Sequence, residues 1–260
     1  MEVFVDRIKG VLKSRLTQHV GLVTAAMLGA VYTVQYVHPD LPEISAVDAV
    51  LVRDVAQSGT ALGWDLPNID NPRVESWIKR FSTDPSVKSR FAVWLDRKST
   101  YEPMISAKLD QRDMPQDLIY LAMIESGFNP KAKSPAKAGG LWQFIGETGK
   151  RYGLTVNKKV DERNHPEKAT DAALSYLSDL HDRFGSWYLA AAAYNTGENR
   201  VARIMRQVTG SEKGTDQDYY RISNLLPTET QNYVPMMIAA ARISKNPAQY
   251  GFAQNATMGE

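Results

Sequence analysis

Residues 115–127 read PQDLIYLAMIESG, and this stretch decides the fold class. Pro115 suits a helix start, where its missing N–H is one of the donors left unpaired anyway. Leu118, Leu121, Ala122 and Glu125 recur at i, i+3, i+4 and i+7, the spacing that gathers side chains on one helical face. Gly127 is the residue type that ends helices in the left-handed conformation. The spacing therefore predicts a helix over 116–125 whose apolar face ends in a carboxylate. Burial disfavours the charged form of a carboxyl, and the negative end of its own helix pushes the same way. Both effects favour a protonated acid near neutral pH, which general acid catalysis requires. The competing reading is a plain surface charge, because helix ends read from sequence shift by a few residues.

Helical patterning continues on both sides. Upstream, Asn68-Ile69-Asp70-Asn71-Pro72 combines a turn signal with a helix N-cap. Val74, Trp77, Ile78 and Phe81 then follow helical spacing, and the pattern predicts further helices over 85–97 and 99–112. Downstream, Pro166 to Phe184 carries a stripe of Ala169, Ala172, Ala173, Tyr176, Leu177, Leu180 and Phe184, stopped by Gly185. Trp187–Tyr194 is apolar nearly all round and so is expected to be buried. Helices are expected at 198–208 and from about 228 to 244, the latter opened by a capping box at Thr228-Glu229-Thr230-Gln231. Residues 209–218 read as a polar loop. No stretch shows convincing strand alternation, so the expected architecture is all-α.

Composition narrows the chemistry. The 260 residues include no cysteine, which removes disulfides, thiolate catalysis and a lipidated N-terminal cysteine. The 31 Lys and Arg residues barely exceed the 29 Asp and Glu residues. Arg7, Lys9, Lys13 and Arg15 against Glu2 and Asp6 account for that excess, so the rest of the chain is neutral and carries no nucleic-acid footprint. His19, His38, His165 and His181 are scattered without ligand spacing, and no metal or cofactor is expected.

Val20 to Val37, VGLVTAAMLGAVYTVQYV, is uncharged. A membrane-spanning helix needs about 20 apolar residues, and a preceding basic cluster places its start in the cytoplasm. The expected organisation is a basic leader at 1–19, a transmembrane signal anchor at 20–37 and a stalk at 38–72 with one short helix. A helical extension at 73–112, a catalytic domain at 113–253 and a tail at 254–260 follow. A cleaved signal peptide and a buried core helix are the alternatives for residues 20–37. The anchor reading puts the protein in the inner membrane as a single-pass protein, with its catalytic domain in the periplasm.

Residues 125–144 read ESGFNPKAKSPAKAGGLWQF, residues 193–197 read AYNTG, and Asn232-Tyr233-Val234 follows in the last helix. This ordered set resembles the lysozyme-like lytic transglycosylases: a Glu-Ser pair, a Gly-Leu-x-Gln segment and an Ala-Tyr-Asn segment. NIDNPRVESWIKRF at 68–81, VDERNHPEKAT at 160–170 and LPTETQNYVP at 226–235 look like the same family, so the resemblance covers about 65–253. It implies that Glu125 protonates the glycosidic oxygen between N-acetylmuramic acid and N-acetylglucosamine in peptidoglycan glycan strands. Glu125 then takes the proton of the muramic C6 hydroxyl as that oxygen attacks C1, leaving a 1,6-anhydro end. It also implies that Gln143, Ser134, Tyr194 and Asn195 line the sugar cleft and that the Tyr233 hydroxyl approaches the catalytic carboxyl. For each of these a purely structural role is the alternative: a turn bond for Gln143 and Ser134, core packing for Tyr194 and Tyr233.

Most glycosidases use two carboxylates. Glu147 and Glu198 are near the motifs but read as solvated charges at helix starts, so a single-glutamate mechanism is expected. A hydrolytic muramidase on the same scaffold and a catalytically silent wall-binding subunit are the competing functions. Two positions depart from the family pattern: Thr196 where an alanine is usual, and Ala138-Gly139 ahead of the Gly-Leu pair. A compact, membrane-tethered enzyme would suit local wall opening for a secretion, conjugation or pilus machine.

Overall fold

The computed structural model describes residues 23–27, 30–34, 63, 65–69 and 71–253. The chain divides into two compact units, Met1–Ala56 and Gln57–Glu260. In the first, β1 (Val23–Met27) and β2 (Ala30–Val34) pair antiparallel in the register Val23↔Val34 to Met27↔Ala30. The expected anchor helix at 20–37 is thus not seen where that segment is described. The local composition explains the alternative: Val23, Thr24, Val31, Tyr32, Thr33 and Val34 are β-branched or aromatic and favour extended backbone. No helix among the described residues is long and apolar enough to cross a membrane. The leader, the short helix expected in the stalk and the tail at 254–260 lie outside the described residues.

The second unit is built from helices: α1 (Pro72–Thr83), α2 (Pro85–Asp110), α3 (Ile119–Ser126), α4 (Gly146–Arg151), α5 (Pro166–Phe184), α6 (Trp187–Thr196), α7 (Glu198–Thr209), α8 (Asp216–Ile222) and α9 (Thr228–Lys245). Asn71 caps α1, accepting from the Arg73 N–H at 2.9 Å, with Pro72 in the first turn as the sequence suggested. Asp84 caps α2 through the N–H groups of Ser86 and Val87. The two helices expected at 85–97 and 99–112 are one helix. Lys98 and Glu102 form an i,i+4 ion pair across the expected break, and Pro103 is accommodated inside the helix. A second difference is α8, which begins within the expected loop at 209–218. There Thr215 and Asp218 form a reciprocal capping box.

The core gathers on α3, α5, α6 and α9. Leu121, Ala122, Leu177, Leu189, Val234 and Ala239 are fully buried. Each large apolar side chain so buried stabilises the fold by about 1.5–3 kcal/mol. The helix Trp187–Thr196 is buried along Tyr188–Ala193, as its all-round apolarity predicted. Residues 65–69, expected in the stalk, lie against this unit. Leu66 is buried, Asp65 accepts from the Asp117 N–H at 3.0 Å, and Asn68 accepts from Arg242 Nε at 2.9 Å.

Candidate active site

Helix α3 follows a single 3-10 turn at Gln116–Leu118 and ends at Ser126, where Gly127 adopts φ +57° and donates its N–H to the Met123 carbonyl at 2.8 Å. Glu125 therefore sits in the last turn, as the spacing required. It is half-buried. The Tyr233 hydroxyl on α9 donates to Glu125 Oε1 at 2.5 Å. Desolvation raises the Glu125 carboxyl to about 7; the Tyr233 hydrogen bond opposes this and the negative charge of Glu229 adds to it. Burial, the neighbouring Glu125 charge and this hydrogen bond hold the Tyr233 phenol well above its ordinary range, so it stays a donor. Tyr194 on α6 is likewise raised, by burial and then by Glu125, and its hydroxyl donates to the Trp142 carbonyl at 2.7 Å.

Asn195 joins the same group through residues that the sequence reading gave another role. Its amide oxygen accepts from the Thr230 hydroxyl at 2.7 Å, and its nitrogen donates to Glu229 Oε1 at 3.0 Å. The capping box expected at Thr228–Gln231 does not form, because α9 starts after Pro227 with no side-chain cap. Glu229 and Thr230 face Asn195 instead, and Gln231 bonds the Leu226 carbonyl. Glu229 is the carboxylate that motif reading missed. Its local pattern looked like a cap, and only the packing of α9 beside α6 gives it another partner.

The loop from Ser126 to Phe144 frames the other side. Ser126 donates to the Leu141 carbonyl at 2.8 Å and so ties the end of α3 to the Gly-Leu segment. Ser134 accepts from the Ala138 N–H at 3.1 Å, which closes the turn between them. Gln143 holds φ +47°, a conformation few non-glycine residues adopt. Its Nε2 donates to the carbonyls of Gly140 at 2.8 Å and Ala132 at 3.3 Å. Both amide hydrogens are thereby engaged, which leaves the amide oxygen as the acceptor available to a ligand. Trp142, Phe128 and Phe144 are buried, and Trp142 Nε1 donates to the Thr170 hydroxyl at 3.0 Å, so their rings belong to the core.

Arg163 holds this loop from behind. It is ion-paired with Asp161 at 2.8 Å and donates to the carbonyls of Lys137 and Phe144 at 2.7 and 2.9 Å. A Cβ on Gly140, at φ +81°, would lie 1.7 Å from the Arg163 carbonyl oxygen, so this close approach requires glycine. The role of Arg163 was not legible in the sequence, although it stands in the family-like segment 160–170. Of the two other glutamates considered, Glu147 is an exposed first-turn charge paired with Lys150. Glu198 opens α7 but is half-buried and accepts from the Tyr176 hydroxyl at 3.0 Å.

The structure thus brings Glu125, Tyr233, Tyr194 and Asn195 into one group, and places Gln143 and Ser134 on the loop that α3 and Arg163 anchor. Residues 102–217 match the family model of the Transglycosylase SLT domain. This region of the chain is similar to the Transglycosylase SLT domain, in agreement with the motifs. Over 156 residues the chain is 39% identical to membrane-bound lytic murein transglycosylase D of Escherichia coli K12, a match covering 60% of this chain and 34% of that protein. Over 147 residues it is 34% identical to peptidoglycan transglycosylase gp16 of Escherichia phage T7, covering 55% of this chain and 10% of that one. Among solved structures, the 70 kDa soluble lytic transglycosylase of Escherichia coli superposes with a TM-score of 0.47 at 24% identity, covering 58% of this chain and 25% of that one. The chain spans about a third of the first of these relatives.

Proposed function

We propose that this protein is a peptidoglycan lytic transglycosylase on a lysozyme-like scaffold, with Glu125 as its single acid and base. The observation that carries the reading is a half-buried glutamate on an apolar helix end, raised to about 7 and met by a tyrosine hydroxyl. A carboxyl with that pKa is partly protonated at neutral pH and can give its proton to the glycosidic oxygen. The bond from C1 to that oxygen breaks as the leaving sugar takes the proton. The resulting carboxylate, hydrogen-bonded by Tyr233, then accepts the proton of the muramic C6 hydroxyl while O6 bonds to C1. No water is consumed, and the product carries a 1,6-anhydro end. Gln143, through its amide oxygen, is suited to accept from a sugar acetamido N–H. Tyr194 and Asn195 are read as the far wall of the cleft, and Ser134 as the residue that shapes its loop.

A hydrolytic muramidase is the second reading, favoured by Glu229, whose charge acts on Glu125. Against it, Glu229 is bonded to the Asn195 amide. The deciding experiment incubates the protein with isolated sacculi and weighs the released muropeptides by mass spectrometry. Anhydro ends, lighter by one water and absent with Glu125→Gln, support the transglycosylase; reducing ends support the muramidase. No release from a folded sample favours a silent wall-binding subunit.

The proposed setting is the inner membrane, with the catalytic part in the periplasm. It rests on the basic leader and uncharged segment at 1–37, and extraction of the full chain from membranes by carbonate alone would reject it. A role beside a secretion, conjugation or pilus machine rests on the proposed membrane tether. Co-purification without any envelope-machine component would reject that role.

A further inference from the structure

The Transglycosylase SLT match begins at residue 102, after α1 and after the first two-thirds of α2. Those preceding residues carry an aromatic wall. Trp77 and Phe81 lie 5.4 Å apart by ring centroids, Phe81 and Phe91 4.7 Å, and Phe91 and Trp94 5.5 Å. Phe81 and Phe91 are fully buried, whereas Trp77 and Trp94 stand half-buried at the two ends.

Each end meets a residue close in sequence to one partner of the Glu125–Tyr233 hydrogen bond. A Cβ on Gly127 would fall 2.1 Å from Cδ1 and from Nε1 of Trp94, so the indole lies flat against the bare backbone of the cap that closes α3. Glu125 is two residues before that cap. Arg97, one turn beyond Trp94, points Nη1 at the Gly127 carbonyl at 3.5 Å. At the other end, Trp77 Nε1 donates to Asn232 Oδ1 at 3.1 Å, next to Tyr233, and Arg73 donates to the Gln231 carbonyl at 3.1 Å. One stiff wall thus fixes both the last turn of α3 and the first turns of α9.

We propose that Trp94, packed on Gly127, is a positioning residue that holds Glu125 against Tyr233. This rests on the reading of Glu125 as the acid and base. Trp94 does not touch the carboxyl. It acts by denying the α3 cap the freedom to tilt towards α2, where the carboxyl would leave Tyr233 and gain water. Shifts of about 1 Å in a reacting group can cost about 100-fold in rate, so a loosened cap is expected to weaken the chemical step more than binding. The ionisable groups acting on Glu125 are Tyr233 and Glu229, both from α9, and Tyr194 on α6 in turn feels the Glu125 charge.

The test uses the full chain with Trp94→Ala, Trp94→Phe and Gly127→Ala, each checked for folding by circular dichroism and thermal melting. Turnover is measured on soluble glycan strands, and Glu125 is titrated by NMR with carboxyl-labelled glutamate. Trp94→Ala is expected to lower kcat by about 10-fold with KM within about two-fold. Its Glu125 midpoint should move down, towards an ordinary carboxylate. Trp94→Phe, which keeps a flat face, should recover most of both, and Gly127→Ala, which forces the ring away, should resemble Trp94→Ala. A folded Trp94→Ala protein with wild-type kcat and an unmoved Glu125 midpoint overturns the inference. So does a loss that merely follows the unfolded fraction. If the wild type itself turns over nothing, the functional reading falls, while the titration still decides whether Trp94 positions Glu125.

Discussion

Two glutamates of this protein share a degree of burial and a partner type, yet their carboxyls are pushed in opposite directions. Glu125 and Glu198 are both half-buried, and both accept a hydrogen bond from a tyrosine hydroxyl, Tyr233 and Tyr176 respectively. Glu125 is raised to about 7 by desolvation, with Glu229 adding to the shift. At Glu198 burial also pushes upward, but its own N–H at the start of α7, the Tyr176 hydroxyl and Arg151 outweigh it and hold the carboxyl below its ordinary value. The position along the helix and the neighbouring charge decide the outcome. Glu198 sits at a helix N-terminus, where the dipole favours an anion, beside an arginine at 3.2 Å. Glu125 sits at a helix C-terminus, where the dipole opposes an anion, beside another carboxylate. A tyrosine bond alone therefore does not set the state of a buried glutamate.

The largest effect should come from removing the proposed acid. Glu125→Gln is expected to cut glycan cleavage by about 1,000-fold, read as anhydro-muropeptide release per minute. The same variant tests the charge state. A carboxyl whose folded pKa exceeds its unfolded value costs stability as pH rises between the two, here from about 4.5 to about 7. Glu125→Gln should therefore be more stable than wild type at pH 8, by up to about 3 kcal/mol, and equal to it at pH 4. Denaturant melts at the two pH values check this.

Tyr233→Phe should lower the rate by about 10- to 100-fold, since hydrogen bonds to charged groups contribute about 1.5–3 kcal/mol. It should also move the alkaline limb of the pH–rate profile upward, because the lost bond was the one lowering the Glu125 pKa. Glu229→Gln removes a raising charge, so that limb should move downward, with a few-fold loss of rate at pH 7. Movement of both limbs in one direction would break the electrostatic account of Glu125. The smallest effect belongs to the contrast site. Glu198→Gln should leave glycan cleavage within about two-fold but destabilise the fold at pH 7 by about 1 kcal/mol. That loss should vanish as pH falls through the depressed Glu198 pKa, because stability tied to a lowered carboxyl is present above the unfolded pKa and lost below the folded one. Loss of cleavage on Glu198→Gln would erase the distinction between the two glutamates.

Much of the helix layout was legible locally. Pro72, Pro166, Gly127 and Gly185 mark ends that the structure reproduces, because proline and glycine constrain the backbone without help from distant residues. The break expected near residue 98 was wrong because nothing there disrupts a helix, and a proline can be absorbed where packing holds both flanks. The capping box at 228–231 was wrong because α9 starts directly after Pro227, so Thr228 is already inside the helix, and the Gln231 amide bonds the Leu226 carbonyl. Trp94 gave no signal, and Arg163 stood in a family-like segment that carried no role for it, since one rests on a glycine and the other bonds carbonyls distant in sequence.

The sequence by itself determined most helices from residue 72 onward, the unbroken α2 and the start of α8 apart, together with the apolar face carrying Glu125 and the motifs that resemble the Transglycosylase SLT domain. Those follow from periodicity and backbone preference, which act over a few residues. The tertiary structure brings the Tyr233 hydroxyl to Glu125 across 108 positions of sequence, a contact that the family resemblance implied but no local pattern contained, and it alone turns Glu229 to Asn195. It also decided that the Gln143 amide is already occupied on its donor side and that Trp94 packs on Gly127, two residues beyond Glu125. Such contacts depend on how helices pack and on what burial leaves unsolvated, and no short window of residues contains that information.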